Sequence, residues 1–341
     1  MVRENISDAP HEILRQADLS NVRLGRRPLI TAMKYYEAFQ EVNLSKSTLK
    51  EDMKRLRRFT EFYEGLYERG ACKTMDPRLF DEAMVMEFLL WLKDKGLAAS
   101  TQHTDVKVLN RFLGLFGNNV IDKMRRNPIY RFPKEPRDLP ISALSPEELK
   151  LVFETTYNLR GWSAKAFRGY LALSFATASR PNETLQALTR DLDIKGRVFY
   201  VRHPKGEGSW GQPQWVNIIR EDMIPYLEGF MKDREDMLVE YGISSQFLFV
   251  NPGTGEPYSN KVMRNLKAKV QDMSGIHFMI KDMRSSFASL TVNNHLERLN
   301  AVSEQLRHST PETTRKYYAR INKKDAVRNG LKDTWKENEV K

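Results

Sequence analysis

Residues 176–188 read Ala-Thr-Ala-Ser-Arg-Pro-Asn-Glu-Thr-Leu-Gln-Ala-Leu. The preceding run, Ala164–Ala178, is apolar enough to form a buried helix, and Arg180 stands where that buried face would continue. Pro181 starts a new turn. A guanidinium in that place needs an anion, because an unpaired charge is costly to take out of water. Glu183, three residues on, either pairs with Arg180 internally or orients it towards an anion from outside. Taken alone, the internal pair is the plainer reading.

Outward from this stretch the chain mixes helix and strand. Upstream, Ser145-Pro146-Glu147-Glu148 is a helix start that leads into Leu151–Thr156. Downstream, Val198–Val201 and Trp215–Ile219 are β-branched or aromatic runs flanked by glycines, hence strands. Between them lies Arg202-His203-Pro204-Lys205-Gly206-Glu207-Gly208, which puts Lys205 in a hairpin connection. A long helix over Glu221–Tyr241, a short apolar run Phe247–Val250 and a turn over 251–257 follow, then helices to about residue 332. Among these, Lys281 and Arg284 are three apart at a helix start and are expected on one face. His308 precedes a turn and a helix that carries Tyr317 and Tyr318. Each residue has an ordinary structural reading by itself. The ordered set of Arg180, Lys205, Lys281, Arg284, His308 and Tyr317 does not.

The N-terminal half reads differently. Leu49, Met53, Leu56, Phe59, Tyr63 and Leu66 step by three and four, an amphipathic helix that Ser45 or Ser47 can cap. Its other side carries Lys50, Lys54, Arg55, Arg57 and Arg58. Asp76-Pro77 is expected to open a second helix that packs Leu79, Phe80, Ala83, Met84, Phe88 and Trp91 and ends at Gly96. A third starts at Ser100, buries Val106, Leu109, Phe112, Leu113 and Phe116, and closes at Gly117. Residues 125–140 hold four prolines and five basic residues and read as an extended interdomain segment. The expected organisation is therefore an N-terminal extension over 1–43, with a helix near Ile30–Phe39, and a helical domain over 44–133. A basic linker over 134–144, a mixed domain over 145–332 and a charged tail over 333–341 complete it. The fold class is mainly α with a small antiparallel sheet.

Composition limits the partners. The chain of 341 residues carries a formal net charge of +11, which favours an anionic partner such as nucleic acid or a membrane surface. Hydrophobic residues make up 40%, enough for real cores. The one cysteine, Cys72, rules out an internal disulfide and a cysteine-rich zinc site, and fits a reducing compartment. Ala83–Leu92 is too short for a membrane span and contains Glu87, and the first residues lack a signal-peptide core. His-Glu-x-x-His and P-loop patterns are absent from the sequence, and the glycines of residues 203–211, His-Pro-Lys-Gly-Glu-Gly-Ser-Trp-Gly, lack the P-loop spacing and the following helix of a phosphate-binding loop. These points lead to the expectation of an intracellular protein.

The ordered set resembles the tyrosine recombinase family of phage and archaeal integrases and Xer-like recombinases. The matching residues are Arg180-Pro-Asn-Glu183, the hairpin Lys205, Lys281-x-x-Arg284 and Leu306-Arg307-His308. Thr313-Thr314 and Tyr317, nine residues after His308, complete them. The motifs span about 145–330, and the resemblance extends more loosely to the helical 44–133. Two positions depart from the family pattern: Lys281 stands where His is usual, and Arg307 replaces a Gly and is expected to alter the local turn alone. Lysine for histidine at 281 suggests an archaeal source, virus or plasmid.

The resemblance implies strand cleavage and rejoining through a covalent 3′-phosphotyrosine on Tyr317, with no metal or nucleotide cofactor. The chemistry needs positive charge on a phosphodiester whose negative charge grows during attack. Arg180 and Arg284 would clamp the non-bridging oxygens, with Glu183 in support. Lys205 would protonate the leaving 5′-oxygen, and His308 would donate to the phosphate. Lys281 would act as a base or add charge. Double-stranded DNA is the implied partner, held by Lys50, Lys54, Arg57, Arg58, Arg125, Arg126, Arg131, Lys134 and Arg137 in a clamp formed by both domains. A homotetramer on paired sites, in the cytoplasm of a prokaryotic host of the protein or of its virus or plasmid, is implied too, with no membrane role. The competing readings are a type IB topoisomerase, a non-catalytic DNA-binding relative, and an RNA-binding protein with chance motifs. The sequence keeps every catalytic Arg and Tyr and carries no long insertion before the Tyr. Most of its aromatics fall on apolar helix faces, and not on an exposed sheet as in single-strand RNA readers.

Overall fold

The computed structural model describes residues 19–72, 74–134, 142–208, 210–292, 296–308, 310, 313 and 314. The chain divides into two compact units, Met1–Leu139 and Pro140–Lys341.

The first unit is helical. Helix α1 spans Pro28–Gln40, α2 Lys46–Glu68, α3 Glu82–Asp94, α4 Ala99–Leu115 and α5 Val120–Arg126. The Ser45 hydroxyl caps α2 by accepting from the Thr48 N–H, a contact worth about 1 kcal/mol. All six apolar residues that predicted this helix are buried. Their neighbours include Leu29, Ala32, Met33 and Tyr36 of α1, so α1 belongs to the same core and is not part of a separate leader. The Tyr36 hydroxyl donates to Asp52 Oδ2 of α2 at 2.9 Å.

The second predicted helix starts late. Asp76 and Pro77 open a single 3₁₀ turn, Pro77–Leu79, and α3 begins only at Glu82, where Asp81 accepts from the Met84 N–H. Leu79, expected inside, is 65% exposed, and the buried face is Val85, Phe88, Leu89 and Leu92. Two start signals lie five residues apart, and the extended Phe80 backbone between them forces the break. Helix α4 begins after Ala98 with no side-chain cap, so Ser100 is not its start. Helix α5 takes up Arg125 and Arg126, which the sequence assigned to an extended segment, because Val120, Ile121 and Met124 bury against the core.

The second unit is built around one helix. Helix α6 covers Pro146–Thr156, α7 Trp162–Thr177, the short α8 Pro181–Leu185, α9 Ile224–Tyr241, α10 Asn260–Ser274, α11 Asp282–Val292 and α12 Leu299–Leu306. Helix α6 opens with a full capping box between Ser145 and Glu148. Thirteen of the sixteen residues of α7 are buried, so it is packed on all sides, with α6, α9 and α11 against it. Gly169 allows α9 its close approach: a Cβ there would come within 2.4 Å of the Phe230 ring. Expectation placed the long helix from Glu221, but Glu221–Met223 forms a 3₁₀ turn before α9.

Three short antiparallel strands, β1 Leu192–Asp193, β2 Val198–Val201 and β3 Gln214–Asn217, form a sheet in the order β1-β2-β3. The register pairs Val198 with Asn217 and Val201 with Gln214. Phe199, Val201 and Val216 face the core, while Tyr200 and Trp215 meet on the outer face with ring centroids 5.1 Å apart. The predicted strand through Ile219 stops at Asn217, because the Ile219 N–H leaves the ladder and donates to Ala176 O of α7 at 3.0 Å. That bond ties the sheet to the end of the central helix.

Candidate active site

The site starts where α7 ends. Ala178 adopts the left-handed conformation, with φ 54°, and Arg180 is the extended residue that caps α8. Glu183, in the first turn of α8, folds back to accept the Arg180 N–H on Oε2 at 2.8 Å and Arg180 Nη1 on Oε1 at 2.9 Å. It also accepts the Lys205 backbone N–H on Oε1 at 3.2 Å, and Arg307 Nη2 on Oε2. One buried carboxylate therefore fixes three segments far apart in sequence. Burial pushes the Glu183 carboxyl up, but Arg307 and then Arg180 outweigh this and hold it below the usual carboxylate range. The internal ion pair exists, and Arg180 also lines an open cavity.

Lys205 comes from the β2–β3 connection. The base of that connection is held by an ion pair between Arg202 and Asp191. Its tip is a tight reversal in which the Gly211 N–H donates to Gly206 O at 2.8 Å. A Cβ at Gly211 would come within 2.3 Å of the Lys205 carbonyl oxygen, so only glycine lets this loop fold back beneath the lysine. The Lys205 side chain is exposed at the cavity rim, with Trp210 beside it.

Helices α11 and α12 supply the rest. Arg284 is buried; Nη1 donates to Ala178 O at 2.7 Å, and Nη2 donates to Leu306 O. It thereby ties the end of α7 to the end of α12. Gln305 Nε2 repeats the link, with donations to Thr177 O at 3.0 Å and Asn217 O at 2.7 Å. Arg307 then takes φ 55° at the C-cap of α12. Left-handed backbone costs a residue with a Cβ roughly 1 kcal/mol or more. Among the described residues only Ala178, Arg197 and Arg307 are non-glycine with positive φ, and two of the three border this site. His308 Nδ1 lies 2.7 Å from the Thr314 hydroxyl. Burial first, then the charges of Arg284, Arg180 and Arg307, lower the His308 pKa to about 4, so the ring is neutral at pH 7.

These groups meet at a cavity of about 570 Å³, bordered by Arg180, Lys205, Trp210, Arg307 and His308. Of the sequence-derived set, Arg180, Lys205 and His308 line it, Glu183 braces it, and Arg284 lies close enough to act on His308. Lys281 differs from expectation. It is exposed just before α11, whereas Arg284 is buried within the helix, so the two do not share a face. The three-residue spacing aligns side chains only inside a helix, and Lys281 stands outside it. Tyr317 and its neighbour Tyr318 lie outside the described residues. Arg307 was read as a change to the turn alone; instead its side chain is 7% exposed and grips Glu183. The signal in the sequence was a charged residue at a helix end directly beside His308.

On the first unit, Lys50, Lys54 and Arg57 are exposed along one face of α2, and Arg125, Arg126, Arg131 and Lys134 are exposed as well. Arg58 turns inward to Asp105 at 2.8 Å, and Arg137 lies outside the described residues. Among the described residues there is no cluster of His, Cys, Asp and Glu fit to hold a metal, and no helix long and apolar enough to cross a membrane.

A search of curated protein sequences found no match. Solved structures share the fold. The XerH site-specific recombinase, in a post-cleavage complex with palindromic difH, superposes with a TM-score of 0.60 at 19% identity, covering 89% of this chain and 84% of that one. The Tn1549 transposon integrase, bound to a circular-intermediate DNA, gives a TM-score of 0.64 at 16% identity, covering 90% and 99%. A lambda integrase dimer bound to a core site gives 0.58 at 15%, covering 83% and 96%. The family model described as "Phage integrase family" matches residues 143–325, more than half of the sequence. On that match the chain belongs to the phage integrase family and is a tyrosine site-specific recombinase.

Proposed function

We propose that this chain cleaves and rejoins double-stranded DNA at a specific site, with Tyr317 as the nucleophile. The observation that carries the assignment of roles is the convergence of Arg180, Lys205 and His308 on one cavity, organised by the single carboxylate of Glu183. The Tyr317 oxygen attacks the phosphorus and gives its proton to solvent water at the open cavity. The bond from phosphorus to the 5′-oxygen breaks, and Lys205 protonates that oxygen as it leaves. The product is a 3′-phosphotyrosyl bond, which a 5′-hydroxyl from another strand reverses. Arg180 and Arg284 stabilise the charge that builds on the non-bridging oxygens. The neutral His308 ring adds a hydrogen bond to the same phosphate. Positive charge comes from guanidinium groups, so the step calls for no metal or nucleotide. The exposed Lys281 suits contact with the DNA backbone better than proton transfer inside the site.

The first unit, with Lys50, Lys54 and Arg57 in a stripe on α2, holds the duplex through its phosphates, together with Arg125, Arg126, Arg131, Lys134 and Arg137. Arg58, paired with Asp105, has a structural part instead. By the family resemblance the working form is a tetramer on paired sites in the cytoplasm of a prokaryotic host.

The role of Lys205 has a chemical test. On a nicked duplex bearing the chain's own recombination site, Lys205→Ala should slow cleavage by about 100-fold or more. Replacement of the bridging 5′-oxygen by sulfur, whose thiolate leaves without a proton, should restore most of that loss. An equal defect on both substrates would contradict the assignment.

A further inference from the structure

The donors around Glu183 outnumber the acceptors. Each carboxylate oxygen already takes two donors, which leaves Arg307 with Nη2 alone engaged. Nε and Nη1 of Arg307 are buried and have no hydrogen-bond partner. Buried guanidinium donors are costly to leave unmade. The side chain is 7% exposed, borders the cavity shared by Arg180, Lys205 and His308, and springs from a left-handed backbone position that glycine would occupy without strain. Charge points the same way. Arg180 and Arg307 share a single carboxylate, and Arg284 adds a further positive charge at His308, so the site is short of anions until a ligand arrives.

We propose that Arg307 is a third guanidinium for the scissile phosphate: Nε and Nη1 donate to its non-bridging oxygens while Nη2 stays on Glu183. This rests on the recombinase reading and adds a residue to it. Glu183 then has a sharper task. It holds Arg180 and Arg307 in one fixed arrangement, so that the fork of each is set before DNA arrives. A planar fork matches two phosphate oxygens, which a lysine ammonium cannot do.

The experiment uses the full chain with Arg307→Gly, which relieves the left-handed backbone, and Arg307→Lys, which keeps a charge beside Glu183. Cleavage is followed on a nicked duplex whose scissile group is either the natural phosphodiester or a neutral methylphosphonate. On the phosphodiester, Arg307→Gly should be slower by about 100-fold, the loss typical of one transition-state donor, with Arg307→Lys between it and the parent. On the methylphosphonate, with one charged oxygen gone, the gap should shrink to a few-fold. A parent-like rate, or an equal loss on both substrates, would overturn the proposal and leave Arg307 as a brace for Glu183. A second arm needs no DNA. Inorganic phosphate, against chloride at equal ionic strength, should raise the unfolding temperature of the parent and of a Lys232→Ala charge control, at an exposed lysine of α9, more than that of Arg307→Gly. Equal gains would count against an anion site at Arg307. Failure of the parent to cleave at all would overturn the recombinase reading, and the phosphate arm would still decide the role of Arg307.

Discussion

Each unit contains a buried carboxylate gripped by two arginines, and the two clusters are finished differently. In the first unit, Asp105 Oδ1 accepts both Arg55 Nη1 at 2.7 Å and Arg58 Nη2 at 2.8 Å. Asp105 Oδ2 and Arg58 Nε are left over, one acceptor and one donor. In the second unit, both oxygens of Glu183 are used, and two donors of Arg307 are left over with no acceptor. The burial is alike: Asp105 and Glu183 are each 2% exposed at the side chain. Burial and pairing therefore do not separate a structural cluster from a functional one. The balance of unused donors and acceptors does. A balanced cluster is complete as it stands, while a donor surplus beside a cavity is a site for an anion.

The largest effect expected from this contrast is on chemistry. Arg180→Ala should reduce DNA cleavage by about 1,000-fold or more, read as the rate of adduct formation, because the donor acts on charge that develops in the transition state. Next comes the hairpin. Gly211→Ala forces a Cβ into the Lys205 carbonyl, and should lower cleavage by about 100-fold while thermal unfolding changes little. Asp105→Ala should do the reverse. It should cost about 2–3 kcal/mol in denaturant unfolding and leave the cleavage rate of folded, DNA-bound protein near that of the parent. A large loss of cleavage in folded Asp105→Ala would erase the distinction between the clusters.

The smallest effect is on pH dependence. The folded pKa of His308, about 4, lies below the unfolded value of roughly 6.5, so the unfolded chain takes up a proton first as pH falls. This contribution to stability is complete above about pH 6.5 and is lost as pH falls towards 4. His308→Asn should flatten this part of the curve when both proteins are unfolded in urea across the range. A parallel course for parent and variant would show that the ring is not desolvated.

Much of this was legible in the sequence where a local rule has a single outcome. The three-and-four spacing from Leu49 to Leu66 marked α2, and Ser145 to Glu148 marked the start of α6, because periodicity and capping act within a few residues. Arg180 and Lys205 were legible through their order in the chain. What escaped depends on tertiary contacts. The Ile219 N–H leaves the sheet for the end of α7, and Leu79 is stranded between two competing start signals. Arg58 on the basic face of α2 turns to a carboxylate 47 residues away. Arg307 escaped for a related reason: its partner, Glu183, is 124 residues distant, and a charge at a helix end beside His308 was the one local sign of it.

The central claim, a covalent step on Tyr317, is met most directly by trapping the intermediate. The parent, Tyr317→Phe and Tyr318→Phe would each be incubated in EDTA with a nicked duplex carrying the recombination site, then resolved on a denaturing gel. The account predicts an adduct with the parent and with Tyr318→Phe, and none with Tyr317→Phe. An adduct lost only in Tyr318→Phe, or no adduct from a parent that binds the site tightly, would contradict it.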